Sequence, residues 1–204
     1  MKRTVEEHAE RFDEYASDYD ETQDSEEYRA CAGLVVEHAR ARIGDGDVVL
    51  DLGCGTGAIG LALADVAARV VGRDVSEGMM NQARAKAEEQ GIDNAEFAYG
   101  EFRDPDYDGP VDVVVSNFAM HHLSDAEKRE AIETIAALNP RAFVLGDVMF
   151  FGEPDPEKPF YAPEVDDPAT VGVLADALTD AGFTLAAVEM VADQAGVLVA
   201  ERAD

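Results

Sequence analysis

The sequence predicts a doubly wound α/β fold, with a mostly parallel seven-stranded sheet, an antiparallel hairpin strand at its C-terminal end and helices on both faces. Three observations carry this expectation. Short apolar runs alternate with amphipathic helical segments from residue 48 to residue 138, the pattern of a parallel sheet covered on both sides. The first run, "VVLDLG", opens directly into a turn with four glycines in eight positions, Gly53, Gly55, Gly57 and Gly60. The last two apolar runs, "FTLAAVEMVA" and "AGVLVAER", are close enough in sequence to pair as a hairpin.

In chain order, Val5, Ala9, Phe12, Ala16 and Tyr19 share one face of a first helix, with acidic residues elsewhere. Tyr28, Cys31, Ala32, Val35 and Ala39 do the same for a second helix, which ends before "GDGD" at residues 44–47. "VVLDLG" is followed by a helix over residues 56–67, and "RVVGRD" by the helix "SEGMMNQARAKAEEQ", stopped at Gly91. "AEFAYGE" leads through a Pro and Asp loop to the strand "VDVVVSNF". In "SDAEKREAIETIAAL" Ser124 and Glu127 form a capping box, and Asn139 with Pro140 ends the helix before the strand "AFVLGDVMFF". The segment "GEPDPEKPFYAPEVDDP" holds five prolines and reads as a long loop, of the kind that often carries function. A last helix places Val171, Leu174, Ala175 and Leu178 on one face, with Gly182 as its stop. The length of 204 residues suits one domain spanning residues 1–204, with a helical lid at residues 1–28 and the proline-rich loop at residues 151–168.

Composition narrows the function classes. With 44 acidic against 16 basic residues the net charge is −28, and no run offers the basic stripe that nucleic acid requires. The acids are spread from Glu6 to Asp204, and lysine occurs only at Lys2, Lys86, Lys128 and Lys158. Such a surface is a solvated shell suited to concentrated salt, and it resembles a halophilic proteome. Cys31 and Cys54 make no disulfide framework, which fits a reduced compartment. The amino terminus lacks the apolar stretch of a secretory signal, and the most apolar segment, residues 57–68, is too short to span a bilayer. A soluble, cytoplasmic protein without a membrane partner is the expectation.

The glycine turn asks for a ligand. Ligands of open parallel sheets sit beyond the carboxyl ends of the strands, where the strand order reverses. Glycine there permits positive φ and removes the side chain that would hold a ligand away from main chain. Gly55, Gly57 and Gly60 satisfy the dinucleotide spacing, and Asp74 ends the next strand at the distance of a ribose-binding acid. Asp51 discriminates between cofactors. A pyrophosphate over this turn would be repelled by a carboxylate just before it, whereas an ammonium group would be attracted. S-adenosylmethionine carries that ammonium.

At "LDLGCGTG" the sequence resembles the class I S-adenosylmethionine-dependent methyltransferases of small-molecule type, and the resemblance runs from about residue 12 to residue 202. It implies a Rossmann-like sheet, S-adenosylmethionine as cofactor and a small-molecule methyl acceptor. It also implies main-chain contacts at Gly53, Cys54, Gly55 and Gly57, with Asp51 at the amino-acid end of the cofactor. "VVGRDVSEGMM" looks like the second family motif, which gives Asp74 the ribose hydroxyls and places Val75 and Met79 beside the adenine. "YGEFRD" resembles the third, with Glu101 and Phe102 where the family has an acid and an apolar residue at the adenine. "VVVSNFAMHHL" is similar to the fourth, which puts Asn117 and Phe118 near the methionine part. "RFDEYASDYD" looks like the amino-terminal "FDxxAxxYD" segment, in which the residue matching Tyr19 covers the cofactor. Arg73 and "LNPRAF" depart from the family pattern.

His121 and His122 follow the fourth strand and are the candidate bases for an acceptor that arrives protonated. Without further Cys or His at ligand spacing, no metal site is expected. Met149, Phe150, Phe151, Phe160 and Tyr161, with Phe12 and Tyr15, are candidates to line an acceptor pocket. Two other readings compete: a non-catalytic S-adenosylmethionine-binding module, and a nicotinamide-dependent oxidoreductase, which Asp51 and the absence of a Tyr-x-x-x-Lys pair disfavour. Oligomeric state and acceptor identity are not encoded in any motif.

Overall fold

The strand order is β3-β2-β1-β4-β5-β8-β7, in a computed structural model that describes residues 4–23, 25–153 and 160–202. The strands are β1 (Val48–Leu52), β2 (Arg69–Asp74), β3 (Ala95–Tyr99), β4 (Val113–Asn117), β5 (Ala142–Phe150), β7 (Thr184–Ala192) and β8 (Ala195–Glu201). A two-residue β6 (Ala169–Thr170) pairs with β5 and lies off the main path. β1 to β5 pair in parallel, while β8 runs antiparallel to both β5 and β7. The expected sheet is therefore present, with β6 as an addition where the proline-rich segment returns to the sheet. Part of that segment, residues 154–159, lies outside the described residues.

β1 and β4 are buried along their whole length because the sheet is covered on both faces. On one side Val49, Val70, Val113, Val115, Val144 and Val199 pack against α3 (Glu26–Arg40) and α4 (Ala58–Leu63). Phe97 of β3 meets Met80, Ala83 and Ala87 of α5 (Glu77–Gln90) nearby. On the other side Leu50, Leu52, Val114, Phe143 and Leu145 pack against α6 (Asp125–Ala137) and α7 (Val171–Asp180). The Ser124–Glu127 capping box forms as expected, and Gly91 ends α5 in the left-handed conformation.

Two helices are shorter than their apolar patterns. The first splits into α1 (Val5–Tyr15) and α2 (Tyr19–Thr22) at a buried Ala16. The break lies between two anchors: Asp13 accepts Ser76 Oγ and the Gly78 N–H, and Asp20 accepts Thr56 Oγ1. These tie the chain to α5 and to the glycine turn, at points that one straight helix does not serve. Residues 56–67 are helical only over α4. Gly57 at φ 81° sets the start at Ala58, and the Asn94 amide bonds the Ala64 and Ala67 carbonyls in place of further helical turns. Among the described residues, no helix is long and apolar enough to cross a membrane.

Candidate active site

The chain leaves β1 for β2 and β3 on one side, then returns to β4 and β5 on the other. The reversal opens a cleft beyond the carboxyl ends of β1, β2 and β4, the ligand position of doubly wound sheets. Gly53, at φ 66°, forms the closest part of its floor. A Cβ there would lie 2.4 Å from Ala119 Cβ, so only glycine lets the β1 and β4 turns approach. Gly57 lies behind the cleft wall, where a Cβ would meet Ala83 at 3.0 Å; its part is to start α4.

Two acids hold the turn. Asp51, fully buried at the end of β1, accepts the Gly60 N–H at 2.9 Å. Burial raises its carboxyl, the Gly60 bond opposes this and the charge of Asp74 adds to it, with the result near 7. Asp74 accepts the Gly55 N–H at 2.8 Å and the Ser76 N–H at 2.9 Å, and burial moves its carboxyl upward as well. Tyr19, Asp51, Gly53, Cys54, Gly55, Asp74, Val75 and Met79 all line one cleft, as do Glu101, Phe102, Asn117, Phe118 and His122. Of the cofactor and base candidates selected from sequence, Gly57 and His121 do not line it. Glu101 also accepts the Tyr99 hydroxyl at 2.8 Å. Cys54 packs with Leu61, Met80 and Phe97, and burial pushes its thiol well above the usual range.

The β4 turn is strained at the site. Phe118 stands at φ 53° and donates its N–H to Gly146 O, which fixes its ring against the cleft. Asn117 is buried in the space left because Gly146 has no side chain, with the Tyr28 hydroxyl beside its amide but no hydrogen bond of good geometry. A buried amide so poorly satisfied is costly, and a ligand in the cleft would complete its bonds. Arg73, the departure from the family pattern, is buried too. It bonds the Pro105 and Gly72 carbonyls and the Glu96 carboxylate, holding the loop after β3 rather than facing a ligand.

α1 and α2 close over the cleft through Val5, His8, Phe12 and Tyr19. A second hollow adjoins it, lined among others by Arg11, His121, Val148, Phe160, Tyr161 and Asp166 and sharing Phe12, Tyr19, Phe118 and His122 with the first. Phe160 and Tyr161 thus fulfil the aromatic lining anticipated near the proline-rich loop. Met149 does not, since it packs into the core beneath α7, and Tyr15 is largely exposed.

The two histidines belong to a short 3-10 turn (Met120–His122), with ring centroids 4.1 Å apart. His121 Nδ1 lies 2.5 Å from the buried Asp147 of β5, and His122 Nδ1 lies 2.7 Å from Asp166. Neither carboxylate partner was apparent in the sequence. Burial and the neighbouring His121 push the His122 imidazole down to about 4, against the opposing pull of Asp166. Burial works to raise Asp166, but the His122 bond, both imidazoles and the Ala162 N–H hold it at about 2. One donor atom from each of His121, His122 and Asp166 lies within 4.8 Å of the others, a grouping of metal-ligating types that spacing in the sequence did not suggest.

A doubly wound sheet with an acid-flanked bare turn at its switch point, roofed by an amino-terminal helix, defines a Rossmann-like protein built for an adenosyl cofactor. Residues 49–140 match the family model described as a methyltransferase domain. An uncharacterised methyltransferase of Staphylococcus carnosus is 34% identical over 70% of this chain and 68% of its own length. The chain belongs to the class I S-adenosylmethionine-dependent methyltransferases. Over the first four curated relatives the match spans between 49% and 68% of their length. Among solved structures, magnesium protoporphyrin IX methyltransferase of Synechocystis with bound S-adenosylmethionine aligns at TM-score 0.69 and 24% identity, covering 86% of this chain and 79% of that one. The cyclase SpnF aligns at TM-score 0.80 and 17% identity, covering 98% and 97%. These likenesses establish the fold, and SpnF shows that the fold does not dictate one reaction.

Proposed function

We propose that this chain transfers the methyl group of S-adenosylmethionine to a small molecule held in the aromatic hollow beside the cofactor cleft. In this reading the ionised Asp51 holds the ammonium of the methionine part, and Asp74 accepts the ribose hydroxyls. Val75, Met79 and Phe102 flank the adenine, Glu101 faces its amino group, Asn117 and Phe118 stand beside the methionine part, and Tyr19 covers it. Bound S-adenosylmethionine supplies a methyl group already activated by its sulfonium. The protein's own contribution is then to position donor and acceptor and exclude water, worth ~7–11 kcal/mol of barrier. The net charge of −28 argues against a nucleic-acid acceptor.

The observation that carries the reading is Asp51, a buried acid at the bare turn, sharing a cleft with the poorly satisfied amide of Asn117. Calorimetry in molar salt tests it: S-adenosylmethionine and S-adenosylhomocysteine bind in the micromolar range and NAD does not. Release of S-adenosylhomocysteine in the presence of small acceptors separates an enzyme from a module that only binds. Binding of NAD in preference to both would sink the proposal.

A further inference from the structure

We propose that His122, oriented by Asp166, is the general base of this site, and that the acceptor carries a weakly acidic hydroxyl on an aromatic frame. The inference rests on the methyl-transfer reading above and specifies its acceptor. Its basis is position. His122 is the imidazole common to the cofactor cleft and the adjoining hollow, whereas His121 borders the hollow alone, is buried and has its Nδ1 turned to Asp147 of β5. Asp166 borders the hollow alone and accepts at 2.7 Å from His122 Nδ1.

The protonation pattern follows from the neighbours. Asp166 also accepts the Ala162 N–H and stays ionised, so it is acceptor-only, and His122 Nδ1 must carry the proton. A neutral imidazole then leaves Nε2 as its lone-pair nitrogen. The other titratable groups around His122 are His8 of α1, with its ring centroid 5.1 Å away, Arg11 and Tyr19 along the hollow, and His121. Burial and His121 hold the His122 imidazole down at about 4, so Nε2 keeps its lone pair at working pH, and Asp166, 2.7 Å away, offsets part of the cost of an imidazolium formed there. Phe12, Phe118, Phe160 and Tyr161 give the hollow the flat apolar walls that suit an aromatic acceptor.

In the step so defined, the acceptor oxygen bonds to the methyl carbon while the carbon–sulfur bond breaks and leaves its electron pair on sulfur. The hydroxyl proton moves to His122 Nε2 and from there to solvent. Charge balances, since one cationic donor is converted to a neutral product and one proton is released.

The test uses the whole protein in molar KCl with 4-nitrophenol and 4-nitroanisole, titrated with and without S-adenosylhomocysteine at about pH 6. The phenol is expected to bind about tenfold more tightly than the anisole, the margin of one good hydrogen bond. In His122→Phe, which keeps an aromatic ring and removes the acceptor, that ratio falls to about one. Turnover is then compared across phenols of decreasing acidity. The wild-type to His122→Phe ratio of kcat/KM grows along the series, reaching on the order of 100-fold for the least acidic phenol. Asp166→Asn lowers kcat more than it raises KM. A rate ratio constant across the series marks His122 as merely structural and overturns the proposal, as does a hydroxyl preference that survives in His122→Phe. If neither probe binds while S-adenosylhomocysteine does, the acceptor class falls and the cofactor reading stands. If S-adenosylhomocysteine fails to bind, the cofactor reading falls, and the titrations without it still decide the hydroxyl preference.

Discussion

Asp51 and Asp74 hold opposite ends of one glycine turn: Asp74 Oδ2 accepts the Gly55 N–H at 2.8 Å, and Asp51 Oδ2 accepts the Gly60 N–H at 2.9 Å. Each acid thus shapes the backbone that, in the proposed function, receives the cofactor each would contact. The arrangement places two buried carboxyls in one cleft, and burial with the charge of Asp74 puts Asp51 near 7. Its two protonation states coexist at neutral pH.

A pH dependence of cofactor affinity follows. Binding an ammonium group favours the ionised form, so below about pH 7 binding must release the Asp51 proton. Affinity for S-adenosylhomocysteine is expected to be flat above about pH 8 and to fall by up to tenfold per unit below about pH 7, measured by calorimetry. Stability of the ligand-free protein moves the other way. The folded Asp51 binds its proton more tightly than the unfolded one, so its contribution to stability declines as pH rises from about 4 to about 7. Asp51→Asn flattens both curves.

Asp74 separates two jobs of one side chain. Asp74→Asn keeps an oxygen for the Gly55 or Ser76 N–H but loses the charge, and an about tenfold loss of S-adenosylmethionine affinity is expected. Asp74→Ala releases both N–H groups as well, loosening the turn, and the loss grows to about 100-fold or more. Equal affinity in wild type and Asp74→Ala, by the same calorimetry, would remove Asp74 from the site.

The cleft at the glycine turn was legible in the sequence because the residues that build it are local. The β1 turn carries its acid and its glycines within ten positions, and Asp74 ends the adjacent strand. The carboxylate partners of the two histidines were not legible, because they meet them only through topology. Asp166 lies 44 positions from His122, in a proline-rich stretch that carries no periodicity, and Asp147 lies within an otherwise apolar strand. The helix patterns marked apolar faces correctly but not where helices stop. Those ends are set by tertiary bonds from Asn94 and Asp13, which no local propensity encodes.

Lys128 shows what a helical pattern conceals. It sits on α6 among charged neighbours, yet its side chain is 2% exposed. Its Nζ donates to the carbonyls of Leu123 and Asp167, joining the segment after His122 to the segment after Asp166, and the Asp167 N–H bonds His121 O at 2.8 Å. Lys128→Met keeps the buried aliphatic stem but removes the donor that the Leu123 and Asp167 carbonyls share, costing about 1–3 kcal/mol. A fall of several degrees in Tm is expected, with faster hydrogen exchange at the Asp167 amide. An unchanged exchange rate would show that the two segments hold together without this lysine.

Salt should stabilise the fold rather than weaken it. The exposed ion pairs, such as Arg129–Asp180 at 2.7 Å and Arg84–Glu77 at 2.6 Å, each contribute about 0–1 kcal/mol and weaken as salt screens them. Against them stands the self-repulsion of a net charge of −28, spread over the whole surface and relieved on unfolding. Raising salt from 0.1 M to 1 M shortens the screening length from about 10 Å to about 3 Å, which removes most of the long-range repulsion but leaves close pairs partly intact. Repulsion therefore dominates the balance, and Tm is expected to climb by on the order of 10 °C between 0.1 M and 2 M KCl. Scanning calorimetry at fixed pH 8 gives the measurement. A falling Tm would mean that the paired charges outweigh the excess acids.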